Sequence, residues 1–105
     1  MGYRTEGVVP GNIGETLESL TETIHGRWEA SDSSSYTARL LHGPMEFLQK
    51  KVGEEAIETI LAAGVEDSEH LRYEIADLMY HLMVLMERKG LTFSDIAGEL
   101  NARMK

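Results

Sequence analysis

Residues 68–90 read SEHLRYEIADLMYHLMVLMERKG, and this stretch decides the fold of the chain. Its aliphatic side chains recur at alternating intervals of four and three residues, at Leu71, Ile75, Leu78, Leu82 and Leu85. This spacing places one continuous apolar seam along a helix and is typical of helices that pack against other helices. The sequence therefore predicts a long amphipathic helix at the centre of an all-α protein.

Other parts of the chain also carry helical periodicity or helix-ending residues. The predicted helices cover residues 13–29, 36–41, 44–63 and a segment that Thr92 caps. Gly43, Gly64 and Gly90 stand where helices commonly end, and Pro44 suits a first helical turn. No stretch shows the sustained alternation of a strand. We therefore expect a small bundle of about five helices.

The chain has 105 residues, which is the size of one domain. Residues 1–14 lack a regular pattern, so we expect an irregular N-terminal tail before a single domain over residues 15–105. Residues 31–35 read SDSSS and predict a polar loop. Met79 and Met86 widen the apolar seam beyond what so small a chain can cover. This surplus predicts burial against a second subunit in a homodimer.

Charge and composition exclude several function classes. The chain has 10 Lys and Arg against 18 Asp and Glu, a net charge of −8. Such a chain is repelled by phosphate backbones and anionic lipid, so we expect neither nucleic acid nor a membrane as a partner. The absence of cysteine excludes thiol chemistry and fits a cytoplasmic protein. An acidic protein that acts on a phosphate substrate would need a divalent cation.

Five carboxylates on two predicted helices form a pattern that a plain surface does not require. The third helix carries E-E-x-x-E and the fourth E-x-x-D, at Glu54, Glu55, Glu58, Glu74 and Asp77. At about 100° per residue, each set falls on one side of its helix. Antiparallel packing would bring four or five carboxylates together, and oxygen ligands without cysteine favour Mg²⁺ or Mn²⁺ over Zn²⁺.

Two of these features also have simpler interpretations. The acidic stripe of the third helix is equally consistent with a solvated face that Lys50 and Lys51 partly neutralise. His81 follows Asp77 by one turn beside the apolar seam. It is either a hydrogen-bonded packing residue, which is the commoner case, or a phosphate contact.

Four segments, in order, resemble the phosphoribosyl-ATP pyrophosphohydrolase family. They are YTARLL at residues 36–41, KKVGEEAIE at 50–58, EIADLMYHL at 74–82 and GLTFSDI at 90–96. The resemblance covers about residues 15–104. The wider superfamily, the MazG-like all-α nucleoside triphosphate pyrophosphatases, shares only the acidic motif.

The resemblance implies hydrolysis of 1-(5-phosphoribosyl)-ATP to 1-(5-phosphoribosyl)-AMP and pyrophosphate, the second step of histidine biosynthesis. It implies a homodimer with Mg²⁺ held by the five carboxylates. A carboxylate that does not bind metal could orient or deprotonate the attacking water, and Glu54 and Glu55 are the candidates.

The expected substrate contacts are Tyr36, Arg39, Lys50, Lys51 and His81. Arginine offers phosphate a bidentate fork and lysine a point charge. Two alternatives stay open. One is a house-cleaning pyrophosphatase that acts on free nucleoside triphosphates, and the other is a non-catalytic helical dimer.

Overall fold

Five α-helices follow one another in the computed structural model, which describes residues 6–29 and 35–104. They are α1 (Ile13–Gly26), α2 (Tyr36–His42), α3 (Met45–Ala63), α4 (Ser68–Lys89) and α5 (Phe93–Arg103), with a 3₁₀ turn at Arg27–Glu29. No strand occurs within the two described ranges. The prediction of a small all-α bundle of about five helices is confirmed.

Polar side chains fix where four of the helices begin. Asn12, Ser35 and Asp67 each accept a hydrogen bond from the backbone N–H three residues further on. Thr92 and Asp95 form a reciprocal capping box at the start of α5. Each cap satisfies an amide that its helix cannot. Of these caps, the sequence analysis identified Thr92, whereas Ser35 and Asp67 are seen only in the structure.

The end of α1 differs from the prediction, which extended this helix to Glu29. The α-helix ends at Gly26, and the chain tightens into the 3₁₀ turn. Glycine is a poor helix former, so the helix is easily broken there. The turn places the Trp28 indole N–H 2.7 Å from Oε2 of Glu87 on α4. A tertiary hydrogen bond therefore sets this boundary.

The two segments that the sequence identified as irregular are described only in part. Residues 8–12 of the predicted tail have no regular structure, and α1 begins at Ile13. Residues 1–5 of the tail lie outside the described residues. The same holds for residues 30–34, and thus for most of the predicted serine-rich loop.

The core lies where α1, α2 and α3 pack against α4. Its most deeply buried large side chains are Ile24, Leu40, Leu41, Leu48 and Val84. Only a short connection over residues 64–67 separates α3 from α4, so the two helices pack as an antiparallel hairpin. This hairpin is the frame on which the acidic residues are placed.

Hydrogen bonds from α4 hold the shorter elements in place. One guanidinium nitrogen of Arg88 donates to the carbonyl oxygens of Leu40, at 2.9 Å, and Gly43, at 2.8 Å. Gly43 closes α2 so tightly that a Cβ there would lie 2.7 Å from the Arg39 carbonyl oxygen. The position therefore requires glycine, and α2 is fixed against α4 at its C-terminal end.

The α4 seam is only partly covered by its own chain. Ile75 is 42% exposed and Leu82 is 40% exposed. Beside Leu82, α4 and α5 border an open groove of about 590 Å³, and Phe93 and Ile96 lie on its α5 side. Over the described residues, no helix is both long enough and apolar enough to cross a membrane.

Candidate metal and phosphate site

The α3–α4 hairpin brings four carboxylates and one imidazole together. Ligand atoms of Glu55, Asp77 and His81 lie within 4.8 Å of one another, and so do those of Glu55, Glu58 and Glu74. Glu55 belongs to both groups and lies at their centre. We call Glu55, Glu58, Glu74 and Asp77 the carboxylate cluster.

Helical spacing and one hydroxyl explain why these side chains meet. Glu55 and Glu58 lie one turn apart on α3, as Glu74 and Asp77 do on α4. Between the helices, the Thr59 hydroxyl donates to the Glu55 carbonyl oxygen at 2.8 Å and lies 3.3 Å from the Glu74 carbonyl oxygen. Thr59 thus holds together the two turns that carry these residues. The sequence analysis missed it, although it follows Glu55 by one helical turn.

The cluster buries negative charge at a high electrostatic cost. Glu55 is 5% exposed and Glu74 is 6% exposed. Burial, followed by hydrogen bonding and repulsion from Glu58 and Asp77, raises the pKa of Glu55 to about 8. One buried oxygen of Glu55 and one of Glu74 have no hydrogen-bond partner among the described residues. Natural cores seldom leave such atoms unsatisfied.

Basic groups offset only part of this charge. Lys51 Nζ lies 3.9 Å from Glu55 Oε2, and His70 Nε2 lies 3.2 Å from Glu74 Oε2. Burial alone would lower the pKa of Lys51, but its hydrogen bond to Glu54 and the nearby carboxylates raise it above the usual value. The sequence analysis did not select His70, although it precedes Glu74 by one turn. An all-oxygen donor set with unsatisfied buried oxygens fits a hard divalent cation.

Glu54 is the one predicted ligand that the structure does not bring into the carboxylate cluster. Its side chain is 44% exposed and lies 3.3 Å from Lys51 Nζ and 4.0 Å from Lys50 Nζ. Adjacent residues on a helix point about 100° apart, so Glu54 and Glu55 cannot both face α4. The lysine pairing that the sequence analysis considered for the acidic stripe is therefore present at Glu54.

The predicted substrate residues differ in how deeply they are buried. Tyr36 is half-buried at the start of α2, and the Arg39 guanidinium carbon lies 5.7 Å from the centre of its ring. Lys51 is 27% exposed, whereas Lys50 is 71% exposed. The charges of Lys51, Asp77 and Glu55 all act on the Tyr36 hydroxyl, so Tyr36, Arg39 and Lys51 form a rim beside the carboxylate cluster.

His81 is buried rather than presented to a ligand. It is 3% exposed, and both of its ring nitrogens have partners within the protein. Nδ1 lies 2.8 Å from the Asp77 carbonyl oxygen, and Nε2 lies 2.9 Å from the Tyr36 hydroxyl. These contacts favour the packing interpretation of His81 over a direct phosphate contact.

Comparison with known proteins gives a consistent result. The family model for phosphoribosyl-ATP pyrophosphohydrolase matches residues 17–104. A phosphoribosyl-ATP pyrophosphatase from Pyrobaculum calidifontis is 47% identical over 85% of this chain and 95% of its own length. The histidine biosynthesis bifunctional protein HisIE from Campylobacter jejuni is 46% identical over 85% of this chain and 43% of its own. The matched region contains the entire carboxylate cluster.

Proposed function

This chain belongs to the phosphoribosyl-ATP pyrophosphohydrolase family, and on that premise we propose how its carboxylate cluster serves the family reaction. The resemblance found in the sequence motifs is confirmed. The protein is a hydrolase that converts 1-(5-phosphoribosyl)-ATP to 1-(5-phosphoribosyl)-AMP and pyrophosphate in histidine biosynthesis. We assign this activity to one domain, residues 15–105, and to the cytoplasm.

The buried carboxylate cluster is the observation that supports the proposed mechanism. Glu55, Glu58, Glu74 and Asp77 would hold a divalent cation, for which we propose Mg²⁺, with Mn²⁺ as a substitute. When bound, the cation neutralises phosphate oxygens and polarises the phosphorus–oxygen bonds. Without it, the carboxylates that gather around Glu55 would repel the triphosphate that they must approach.

The remaining polar residues would act on the substrate and on water. Arg39 and Lys51 donate hydrogen bonds to phosphate oxygens from the rim, and the more exposed Lys50 contributes positive charge. We assign to Glu54 the role of orienting or deprotonating the attacking water, and its position beside the carboxylate cluster and not within it supports this. Glu55 keeps the ligand role.

The proposed homodimer is supported by the apolar surface of α4. Ile75 and Leu82 belong to the predicted seam and are both about two-fifths exposed. The groove beside Leu82 extends to Phe93 and Ile96 on α5. In a symmetric dimer, this surface would pack against the same surface of a second copy, and both would be removed from water.

The first experiment measures pyrophosphate release from 1-(5-phosphoribosyl)-ATP, ATP and dUTP, each with Mg²⁺, with Mn²⁺ and with EDTA. We expect cation-dependent release from the phosphoribosyl substrate alone. Release from ATP or dUTP at comparable rates would assign the protein to the house-cleaning class. No release from any of the three would leave a non-catalytic helical dimer.

Variants then test the assignment of residues. Glu58→Gln removes one proposed ligand and should abolish most of the cation-dependent turnover. Glu46→Gln is a matched control on the same helix, because it is the same substitution at an exposed carboxylate in the first turn of α3, outside the carboxylate cluster. It should change turnover little by comparison. Near-normal turnover of Glu58→Gln would disprove the proposed metal site.

A further inference from the structure

Aromatic contacts and hydrogen bonds together fix the His81 side chain. Its ring makes an edge contact with the Tyr36 ring, with centroids 5.8 Å apart, and another with the Tyr80 ring, at 5.0 Å. Both nitrogens are hydrogen-bonded, one to the Asp77 carbonyl oxygen and the other to the Tyr36 hydroxyl. The imidazole therefore has one orientation, fixed by two hydrogen bonds and two aromatic neighbours.

The two hydrogen bonds of His81 join the two halves of the site. Asp77 belongs to the carboxylate cluster on α4, and Tyr36 belongs to the rim on α2. Because a carbonyl oxygen only accepts, the Nδ1–H of His81 donates to Asp77. In the neutral ring, Nε2 then accepts the hydrogen bond of the Tyr36 hydroxyl. Among the described residues, this imidazole connects the backbone of a proposed ligand directly to a rim side chain.

The position of Tyr36 also affects Arg39. The Arg39 guanidinium lies over the Tyr36 ring, in the range where a cation is attracted to an aromatic face. The Tyr36 ring also stacks on the Tyr80 ring, with centroids 6.4 Å apart. A shift of Tyr36 would therefore disturb a contact that helps to position Arg39, the proposed phosphate-binding arginine.

We propose that His81 is a positioning residue that acts through Tyr36. It fixes the Tyr36 hydroxyl against the turn of α4 that carries Asp77, and so sets the distance between the rim and the carboxylate cluster. The proposal rests on the function proposed above and replaces the direct substrate contact expected of His81. It assigns the buried imidazole to the geometry of substrate binding and not to catalysis.

Two substitutions of His81 separate its two hydrogen bonds. In His81→Asn, the short amide reaches the position of Nδ1 and keeps the hydrogen bond to Asp77, but the hydrogen bond to the Tyr36 hydroxyl is lost. In His81→Gln, the longer amide reaches the position of Nε2 and keeps a partner for the Tyr36 hydroxyl. Tyr36→Phe removes the hydroxyl and retains the ring beneath Arg39.

The matched control is Tyr80→Phe. The Tyr80 hydroxyl is hydrogen-bonded to the Thr37 hydroxyl, so it also joins α4 to the start of α2. It does not reach His81 or the carboxylate cluster through a hydrogen bond that the structure describes. A general loosening of α2 would affect this control as strongly as Tyr36→Phe.

The experiment measures KM and kcat for 1-(5-phosphoribosyl)-ATP with saturating Mg²⁺, and circular dichroism confirms that each variant is folded. We expect Tyr36→Phe and His81→Asn each to raise KM by roughly threefold to tenfold, the range of one hydrogen bond. The double variant that combines Tyr36→Phe and His81→Asn should raise KM no more than either single variant does, because both substitutions remove the same hydrogen bond. His81→Gln and Tyr80→Phe should stay near the wild-type KM.

Three results would overturn the proposal. They are equal KM values for His81→Asn and His81→Gln, an equal rise in KM for Tyr80→Phe, and a double variant whose effect is the product of the two single effects. Each of these requires an active wild-type protein. A wild-type protein that fails to hydrolyse the phosphoribosyl substrate would overturn the proposed function, and this proposal with it.

Discussion

Glu55→Gln should stabilise the metal-free protein while removing its activity. In the folded state, the pKa of Glu55 is raised from 4.5 to about 8, first by burial and then by Glu58 and Asp77. The folded protein therefore binds a proton that the unfolded chain has released. Glu55 therefore costs the metal-free protein no stability below about pH 4.5, and its cost grows as the pH rises from there through about 8.

The shift in the pKa of Glu55 limits how much stability its ionisation can cost. Each pKa unit corresponds to about 1.4 kcal/mol, so the shift from 4.5 to about 8 lowers the free energy of unfolding by at most about 5 kcal/mol. Half of that, about 2.5 kcal/mol, would shift Tm by about 10 °C or more in a domain of this size. Glutamine has the same shape as glutamate and cannot ionise, so Glu55→Gln should not lose the stability that the wild type loses as Glu55 ionises.

The assay is thermal unfolding in EDTA at pH 5, 6, 7 and 8, for the wild type, Glu55→Gln and Glu54→Gln. Glu54 is the matched control, because it is the next residue on α3 but is partly exposed and lies beside two lysines. We expect the Tm advantage of Glu55→Gln to grow from pH 5 to pH 8, and Glu54→Gln to show no such gain. Excess Mg²⁺ should raise the Tm of the wild type at pH 8 and have little effect on Glu55→Gln. Parallel pH profiles for the wild type and Glu55→Gln would refute the reasoning.

Three further predictions concern other parts of the molecule. Asp77→Asn should lower kcat at least about a hundredfold, as expected when a charge-stabilising group is removed. Kinetics at saturating Mg²⁺ measure this loss, and an unchanged circular dichroism spectrum shows that the variant is folded. Leu82→Glu places a charge in the exposed α4 seam and should convert the proposed dimer to a monomer, which light scattering would detect. A hydrogen bond and the charge of Glu87 raise the pKa of His25, so this pair stabilises the fold below about pH 6.5 and less as the pH rises through the raised value. Glu87→Gln should therefore lower Tm more at pH 6 than at pH 9, and an equal loss at both would contradict this.

The helices were predictable because their signals are local. Asn12, Asp67 and Thr92 cap nearby amides, and Gly64 and Gly90 follow the last turns of α3 and α4. These effects depend on a few neighbouring residues and are readable in the sequence. The end of α1 was only partly predictable, because Gly26 is a local signal but the hydrogen bond of the following turn joins Trp28 to Glu87, 59 positions away.

The acidic pattern was also visible in the sequence, but the choice between Glu54 and Glu55 was not. Periodicity gives the angle between two residues on a helix, whereas the rotation of α3 about its axis depends on packing against α4. That rotation buries Glu55 and leaves Glu54 beside Lys51. His81 shows the same limit, since only the structure shows Tyr36, 45 positions earlier, bonded to its ring.

The electrostatic cost of the carboxylate cluster is itself an argument for function. A fold selected for stability alone would place apolar side chains at Glu55 and Glu74, because buried carboxylate oxygens without hydrogen-bond partners are costly and well-packed apolar residues are not. The neighbouring core at Leu48 and Val84 shows that this hairpin accommodates apolar residues with complete burial. A cation would turn the same four carboxylates from mutually repelling groups into ligands. The site is therefore expected to be least stable without metal, and the stability gained on adding Mg²⁺ should disappear when Glu55 loses its charge.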